Sequence, residues 1–129
     1  MTYTTLQQAK ELIKLGLPES TADMYYEQDT DSPVDSWKVG VGKPNQQQNP
    51  CWSAEVLLKM LPKILYYDED TPSDRFIVMN SASSFEIFYE GKNVMAWEHL
   101  SQGTLIECLI DIIKWFYEMG IQNQLNLIL

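Results

Sequence analysis

The stretch between Thr104 and Gly120 constrains the fold of this chain more than any other. Its apolar residues recur every three or four positions, which is the spacing of an α-helix. They leave only a narrow polar stripe, and an apolar arc this wide packs across a sheet rather than lying on a surface. The pattern predicts a helix that begins near residues 101–104, ends at Met119 and has Gly120 as its stop. Its apolar residues are Leu105, Ile106, Leu109, Ile112, Ile113, Phe116 and Met119.

The sheet on which this helix packs is expected to be formed by the residues directly before the helix in the chain. Residues 75–79 and 85–89 are rich in aromatic and β-branched side chains, and the second run alternates between apolar and polar positions. A third strand is expected over residues 93–97, and a short β-rich run covers residues 64–67. Short turns join these runs, which favours an antiparallel meander. His99 falls after the last predicted strand, in a predicted loop before the helix.

The N-terminal part of the chain is predicted to supply short helices. Residues 6–15 have helical spacing, with Thr4 or Thr5 before them as the N-cap and Gly16 after them as a stop. A second short helix is expected over residues 17–26. Its apolar side would be formed by Ala22, Met24, Tyr25 and Tyr26.

The middle of the chain mixes a weak strand signal with a loop and a third helix. Apolar residues alternate over residues 37–41, and a loop with two prolines is expected over residues 42–50. Ser53 is a strong N-cap for a helix that Pro62 ends or kinks. The apolar tail, residues 121–129, is predicted to be an extra strand or a partner contact.

The fold class predicted from these elements is α+β in a single domain, residues 1–129. A small antiparallel sheet of about three strands, within residues 64–97, is packed by the N-terminal helices and by one long C-terminal helix. A chain of 129 residues buries roughly two-thirds of its unfolded surface, so it needs no metal or disulfide to fold. We therefore expect Cys51 and Cys108 to be free thiols, as is usual in the cytoplasm.

The charge of the chain excludes several classes of ligand. It carries 18 acidic and 9 basic residues, for a net charge of −9, and the basic residues are scattered singly. Direct binding to nucleic acid through phosphates needs a basic face, and an anionic membrane would repel this protein. Six acidic residues lie between Glu19 and Asp35 and four between Asp68 and Asp74, without a lysine or arginine in either region. Because no apolar run reaches about 18 residues and no signal peptide is recognisable, we expect a cytoplasmic protein.

The inventory of catalytic residues is poor. The chain has one histidine, His99, two isolated cysteines and no nucleophile elbow. Residues 40–44 match neither phosphate-binding glycine motif, and the acids over residues 68–74 lack the EF-hand pattern. Two separate cysteines and one histidine do not make a zinc site. The sequence therefore predicts a protein that is not an enzyme, with no catalytic residues, no cofactor and no metal.

Tryptophan residues and acidic residues are the remaining candidates for a functional surface. Tryptophan often anchors protein partners, and carboxylates attract basic ones. Trp52 has a second interpretation, as a hydrophobic staple against Val56 or Leu57. The candidate partner surface consists of Trp37, Trp52, Trp97, Asp29, Asp31, Asp35, Asp68, Asp70 and Asp74.

Three segments resemble a family of short uncharacterised proteins. Residues 6–26, LQQAKELIKLGLPESTADMYY, resemble its opening, and residues 50–62, PCWSAEVLLKMLP, resemble its second signature. The end of the last helix, with Trp115 and the Glu118-Met119-Gly120 sequence, is similar to its third. The family occurs in gut anaerobe genomes, often in prophage-like or mobile regions. The resemblance implies no activity and no catalytic residue.

Three functional hypotheses follow. The leading one is a non-enzymatic accessory or protein-interaction domain of a phage or mobile element, with an unknown protein partner. The second is an acidic inhibitor, either a DNA mimic or an immunity-type protein, that blocks a basic nuclease or DNA-binding protein. The third is an enzyme that uses carboxylates and a divalent cation, which requires at least two acids converging in a cleft.

Overall fold

The computed structural model of the protein describes residues 2–31, 36–68, 71–73, 75–80, 84–91 and 94–127, with backbone alone at residues 67, 75 and 94–102. Its α-helices are α1 (Leu6–Leu15), α2 (Ala54–Met60) and α3 (Leu105–Glu118), and short 3₁₀ turns lie at Glu19–Thr21 and Gln122–Gln124. The strands are β1 (Met24–Gln28), β2 (Trp37–Val41), β3 (Asn49–Cys51), β4 (Tyr66–Asp68), β5 (Thr71–Pro72), β6 (Arg75–Asn80), β7 (Phe85–Gly91) and β8 (Val94–Gln102).

Helix α3 forms the centre of the hydrophobic core. Cys108, Leu109 and Ile110 are consecutive and all buried, so more than one side of the helix is covered. It contacts β7 and β8 as well as α1 and α2. The prediction that this helix packs on a sheet is therefore confirmed. Burying a large aliphatic or aromatic side chain contributes about 1.5–3 kcal/mol, and α3 buries seven residues.

The helices begin at side-chain caps, at Thr5 and Ser53 as predicted and at Thr104 within the predicted start of α3. Thr5 is the N-cap of α1 in a capping box with Gln8, and Gly16 closes the helix in the left-handed conformation with φ 112°. Ser53 Oγ accepts a 3.1 Å hydrogen bond from the Val56 N–H at the start of α2. Thr104 Oγ1 does the same for the Glu107 N–H at the start of α3. Each cap satisfies a backbone donor that the first turn leaves unpaired.

The C-terminal sheet is the predicted antiparallel meander, in the order β6-β7-β8. Ile87 and Tyr89 of β7 are fully buried beneath α3. The Tyr89 ring stacks on Phe76 at 4.8 Å and meets the edge of Phe116 at 6.3 Å. The sheet extends further than predicted, because β8 continues to Gln102. His99 is thus in a strand opposite Phe88, not in a loop.

The N-terminal sheet replaces the second predicted helix. Residues 17–26 form the 3₁₀ turn and the start of β1, which is the central strand of an antiparallel sheet in the order β2-β1-β3. The prediction of a helix was wrong because the pairing of Met24 to Gln28 with strands on both sides overrides a helical preference. The predicted loop over residues 42–50 also ends earlier than expected, because Asn49 and Pro50 belong to β3.

The C-terminal tail folds back onto the core. Leu125 is buried, and Leu127 packs against the same cluster. The Asn126 N–H donates a 2.7 Å hydrogen bond to the Met60 carbonyl, and the side-chain amide of Gln124 hydrogen-bonds to both backbone groups of Tyr66. The described part of the tail, residues 121–127, is therefore not the extra strand that the sequence offered as one alternative.

Candidate partner-binding surface

The structure separates the three candidate tryptophans. Trp37 lies on β2 and is 45% exposed, whereas Trp52 is fully buried. Trp52 is thus a core residue rather than part of a surface, a correction to the predicted set. Trp97 lies on β8, where only the backbone is described. Of the three predicted tryptophans, Trp37 is the one whose side chain the structure describes as exposed.

Trp52 is held by a buried polar network, which explains why the ring is inside. Its Nε1–H donates a 2.9 Å hydrogen bond to Thr21 Oγ1, and its backbone N–H donates to Thr4 Oγ1. The Thr4 N–H donates to the Trp52 carbonyl at 2.9 Å. A buried indole N–H needs such a partner, because an unpaired one costs about 1–3 kcal/mol.

Strand β2 carries a row of exposed apolar side chains that the sequence had marked only as a weak strand. Trp37, Val39 and Val41 occupy alternate positions, so their side chains stand on one face of the sheet. Their exposed fractions are 45%, 36% and 84%. We call these three residues the β2 row. The alternation of residues 37, 39 and 41 was visible in the sequence, but the sequence placed Trp37 alone of the three on the candidate surface.

The backbone of the β2 row is also directed outward. The Asp29 N–H donates to the Ser36 carbonyl and the Gly42 N–H to the Asp23 carbonyl, both at 2.9 Å. In an antiparallel ladder, hydrogen-bonded pairs alternate with pairs that are not. Lys38 and Gly40 therefore hydrogen-bond to β1, while the N–H and C=O groups of Trp37, Val39 and Val41 point away from it. Within the described residues, β2 is an edge strand with no neighbour on that side.

On the opposite face of β2, side chains contact those of the neighbouring strands of the sheet. The Tyr25 ring lies so close over Gly40 that a β-carbon at that position would overlap it. Lys38 Nζ lies 3.5 Å from Glu27 Oε1, and Glu27 also accepts a hydrogen bond from the Gln48 side chain. These contacts join β2 to its sheet on the face opposite the apolar row.

The other edge of the same sheet is blocked. Pro50 in β3 has no N–H to offer a further strand. Beyond β3, the N-terminal segment pairs with the chain, because the Ala54 N–H donates to the Thr2 carbonyl and Tyr3 bridges to Ser53. Of the two edges of this sheet, β2 is therefore the open one.

Only some of the predicted acidic surface lies within the described residues. Asp31 is exposed and Asp29 half-buried in the turn that follows β1, where Asp29 Oδ1 accepts from the Asp31 N–H at 3.1 Å. Asp68 is exposed on β4. Asp35, Asp70 and Asp74 lie outside the described residues. Because the Asp29 backbone pairs with Ser36, the Asp29–Asp31 turn adjoins the Trp37 end of β2.

A cavity lies near the opposite end of β2. It is an open groove of about 630 Å³ formed chiefly by the loop before β3. Glu19 is the carboxylate in its described lining, and Lys43 Nζ there donates to the Ser20 carbonyl at 2.6 Å. The groove is thus lined by polar loop residues without a pair of carboxylates.

The thiols are buried and serve packing. Both cysteines are free, as predicted, and neither is exposed to solvent. Burial raises the pKa of the Cys51 thiol, although hydrogen bonds with Thr4 and Tyr26 oppose that shift. Among the described residues, no three histidine, cysteine or acidic side chains are grouped to hold a metal ion. Those residues also contain no helix that is long and apolar enough to cross a bilayer.

Comparison of the chain with protein-family models, with curated proteins and with solved structures finds no match.

Proposed function

We propose that this protein is a non-enzymatic protein-interaction domain that binds a basic partner protein through the β2 row. The observation that carries the proposal is the exposure of three apolar side chains, Trp37, Val39 and Val41, on one face of an edge strand. Exposed apolar side chains are ordinary when scattered, but a contiguous row on an ordered strand is typical of an interaction site. Tryptophan is also enriched among residues that dominate binding energy.

The charge of the chain supports a basic partner. A net charge of −9 speeds association with a positively charged protein and opposes pairing with a second copy. The acids at Asp29 and Asp31 adjoin the Trp37 end of the row, so attraction acts where the apolar contact forms. A basic partner is also what the acidic-inhibitor hypothesis requires. The same surface would then block a basic nuclease or DNA-binding protein.

The setting in a phage or mobile element is part of the proposal. It is supported by the sequence resemblance of residues 6–26 and 50–62, while the β2 row supports binding in any setting. The two parts are independent, so either can fail alone.

Site-specific photo-crosslinking tests the binding surface. The photoreactive residue p-benzoylphenylalanine replaces Val41, which is 84% exposed, and in a control it replaces Met119, which is 57% exposed and lies at the end of α3. In the native host, we expect a discrete adduct with a basic protein from position 41 alone. The yield of the adduct should fall with added salt, because salt shortens the Debye length and screens the attraction between the two proteins.

Substitutions in the row give the matched control. Val39→Thr keeps a β-branched side chain but removes an apolar group, and Val78→Thr makes the same change on β6, where Val78 is 40% exposed. We expect Val39→Thr to lower the adduct yield and Val78→Thr to leave it unchanged. Equal yields from positions 41 and 119, or a yield unaffected by Val39→Thr, would contradict the proposal.

A further inference from the structure

We infer that the partner binds by adding an extended strand to the open edge of β2, and that this strand carries apolar side chains at alternate positions and basic residues flanking them. The inference rests on the proposed function and specifies its chemistry. It concerns backbone groups, whereas the proposed function depends on side chains alone.

The first argument is that the apolar side chains and the outward backbone groups belong to the same residues. Trp37, Val39 and Val41 each present an exposed side chain on one face and an N–H and C=O directed away from β1. An incoming strand would pair with these residues, and its own side chains opposite them would stand on the same face as the row. One extended segment thus satisfies both sets of groups.

The second argument is that this edge is not protected as edges usually are. Natural sheets block their edges with proline, bulges or inward-pointing charges, or by covering them. The β3 edge has Pro50 and the N-terminal segment, but β2 contains no proline and its register with β1 is regular over five pairs. Its one charged residue, Lys38, is paired with Glu27 across the sheet. The strand is therefore regularly paired on one side and open to backbone pairing on the other.

The third argument concerns the occupant. A second copy of the chain would bring a further net charge of −9 to the same edge, whereas a basic segment is attracted to it. The Asp29–Asp31 turn places carboxylates beside the Trp37 end. These charges select an extended segment whose flanking residues are lysine or arginine. Peptide recognition by strand addition uses backbone hydrogen bonds for affinity and alternate side chains for specificity.

The test uses a synthetic peptide with capped ends and the sequence Lys-Val-Thr-Val-Thr-Val-Lys, added to the full chain labelled with ¹⁵N. Amide hydrogen exchange is followed residue by residue. We expect exchange at Trp37, Val39 and Val41 to slow by about ten-fold or more, because their N–H groups gain hydrogen bonds. Exchange at Lys38 and Gly40, whose N–H groups already bond to β1, should change little.

Two modified peptides separate backbone pairing from side-chain contact. N-methylation of the three valines, whose N–H groups would face β2, should abolish binding, while N-methylation of the two threonines, whose N–H groups point away, should leave it. Replacing both lysines with glutamate should weaken binding about ten-fold at low salt, and the difference should shrink as salt rises.

Several results would overturn the inference. If both N-methylated peptides bind equally and slow no amide exchange, the row is a side-chain surface, and the proposed function stands without strand addition. If the parent peptide does not bind, strand addition by this class of partner is wrong, and the crosslink from position 41 still tests the proposed function separately. If amide exchange at Trp37, Val39 and Val41 slows without peptide as the concentration of the chain rises, the occupant of the edge is a second copy.

Discussion

The indole N–H of Trp52 and the hydroxyl of Thr21 are joined by a 2.9 Å hydrogen bond inside the core. The two residues lie 31 positions apart, so this bond ties the 3₁₀ turn at Glu19–Thr21 to the start of α2. The Thr21 hydroxyl in turn donates to the Pro18 carbonyl at 2.6 Å. Of the two interpretations that the sequence offered for Trp52, a partner surface and a hydrophobic staple, the buried position rules out the first.

Removal of the Thr21 hydroxyl should destabilise the fold. Thr21→Val leaves the Trp52 N–H buried without a partner, and we expect the free energy of unfolding to fall by about 1–3 kcal/mol in urea denaturation. In a Trp52→Phe background the same change should cost less, because the orphaned donor is gone. Thr71→Val, at an exposed position in β5, is the control and should alter stability by less than about 0.5 kcal/mol. Equal costs in both backgrounds would disprove the coupling.

Enlargement of Gly40 should also destabilise the N-terminal sheet. A β-carbon there would overlap the Tyr25 ring, and we expect Gly40→Ala to lower the free energy of unfolding by about 1–3 kcal/mol. The cost should shrink when Tyr25→Ala makes room. Gly103→Ala serves as the matched control, because its nearest neighbour is a Glu107 carboxylate oxygen at 3.9 Å. If Gly40→Ala and Gly103→Ala change the free energy of unfolding equally, the close packing of the Tyr25 ring on Gly40 is wrong.

The helix caps should differ in their contribution to stability. Thr104→Ala removes the cap of α3 and should cost about 1 kcal/mol. Ser53→Ala should cost more, because the hydrogen bond that Ser53 donates to Asp23 Oδ2 is partly buried, whereas the one that Thr104 donates to Glu107 Oε1 is exposed and screened by water. Hydrogen bonds to a charged group contribute about 1.5–3 kcal/mol. Chemical denaturation of the two variants, with Thr104→Ser as a control that keeps the hydroxyl, checks the order.

Stability should fall in strongly alkaline solution. Burial raises the pKa of Tyr26 to about 12 and raises that of Tyr89 further, while an unfolded tyrosine ionises near pH 10. The folded state therefore holds its protons longer, so this stability is complete below about pH 10 and is lost as pH rises toward the folded pKa values. Urea unfolding followed from about pH 9 to about pH 11 measures the decline. Tyr89→Phe removes one of these groups and should make the decline of the free energy of unfolding with pH less steep. An unchanged slope would contradict the assignment of the decline to Tyr89.

The thiols should be unreactive in the folded protein. Cys51 and Cys108 are both fully buried, and the raised pKa of Cys51 keeps that thiol protonated. We expect a thiol reagent such as Ellman's reagent to label neither residue under native conditions and both after unfolding in urea. Cys51→Ala should halve the labelling of the unfolded chain. Rapid labelling of either thiol in the native protein would show that the packing around that thiol opens.

The elements that could be predicted from the sequence are those that local physics controls. Helix α3 and the caps at Thr5 and Ser53 depend on residues within four positions of each other, so spacing alone indicates them. For the start of α3 the spacing indicates only a range, residues 101–104, within which Thr104 is the cap. The meander from β6 to β8 was predicted for a similar reason, because its strands follow one another through short turns. The α+β class is confirmed on this basis.

The candidate surface depended on contacts between residues distant in the chain. Met24 to Gln28 form a strand because β2 and β3 pair on either side, and no local pattern contains that pairing. Trp52 is inside and Trp37 outside because Thr4 and Thr21 surround the first with hydrogen-bond partners, whereas β2 lies at an edge. Local hydrogen bonds and periodicity can therefore be read from the chain. Which side of an alternating strand meets solvent is a property of the packing around it, and only the folded structure decides it.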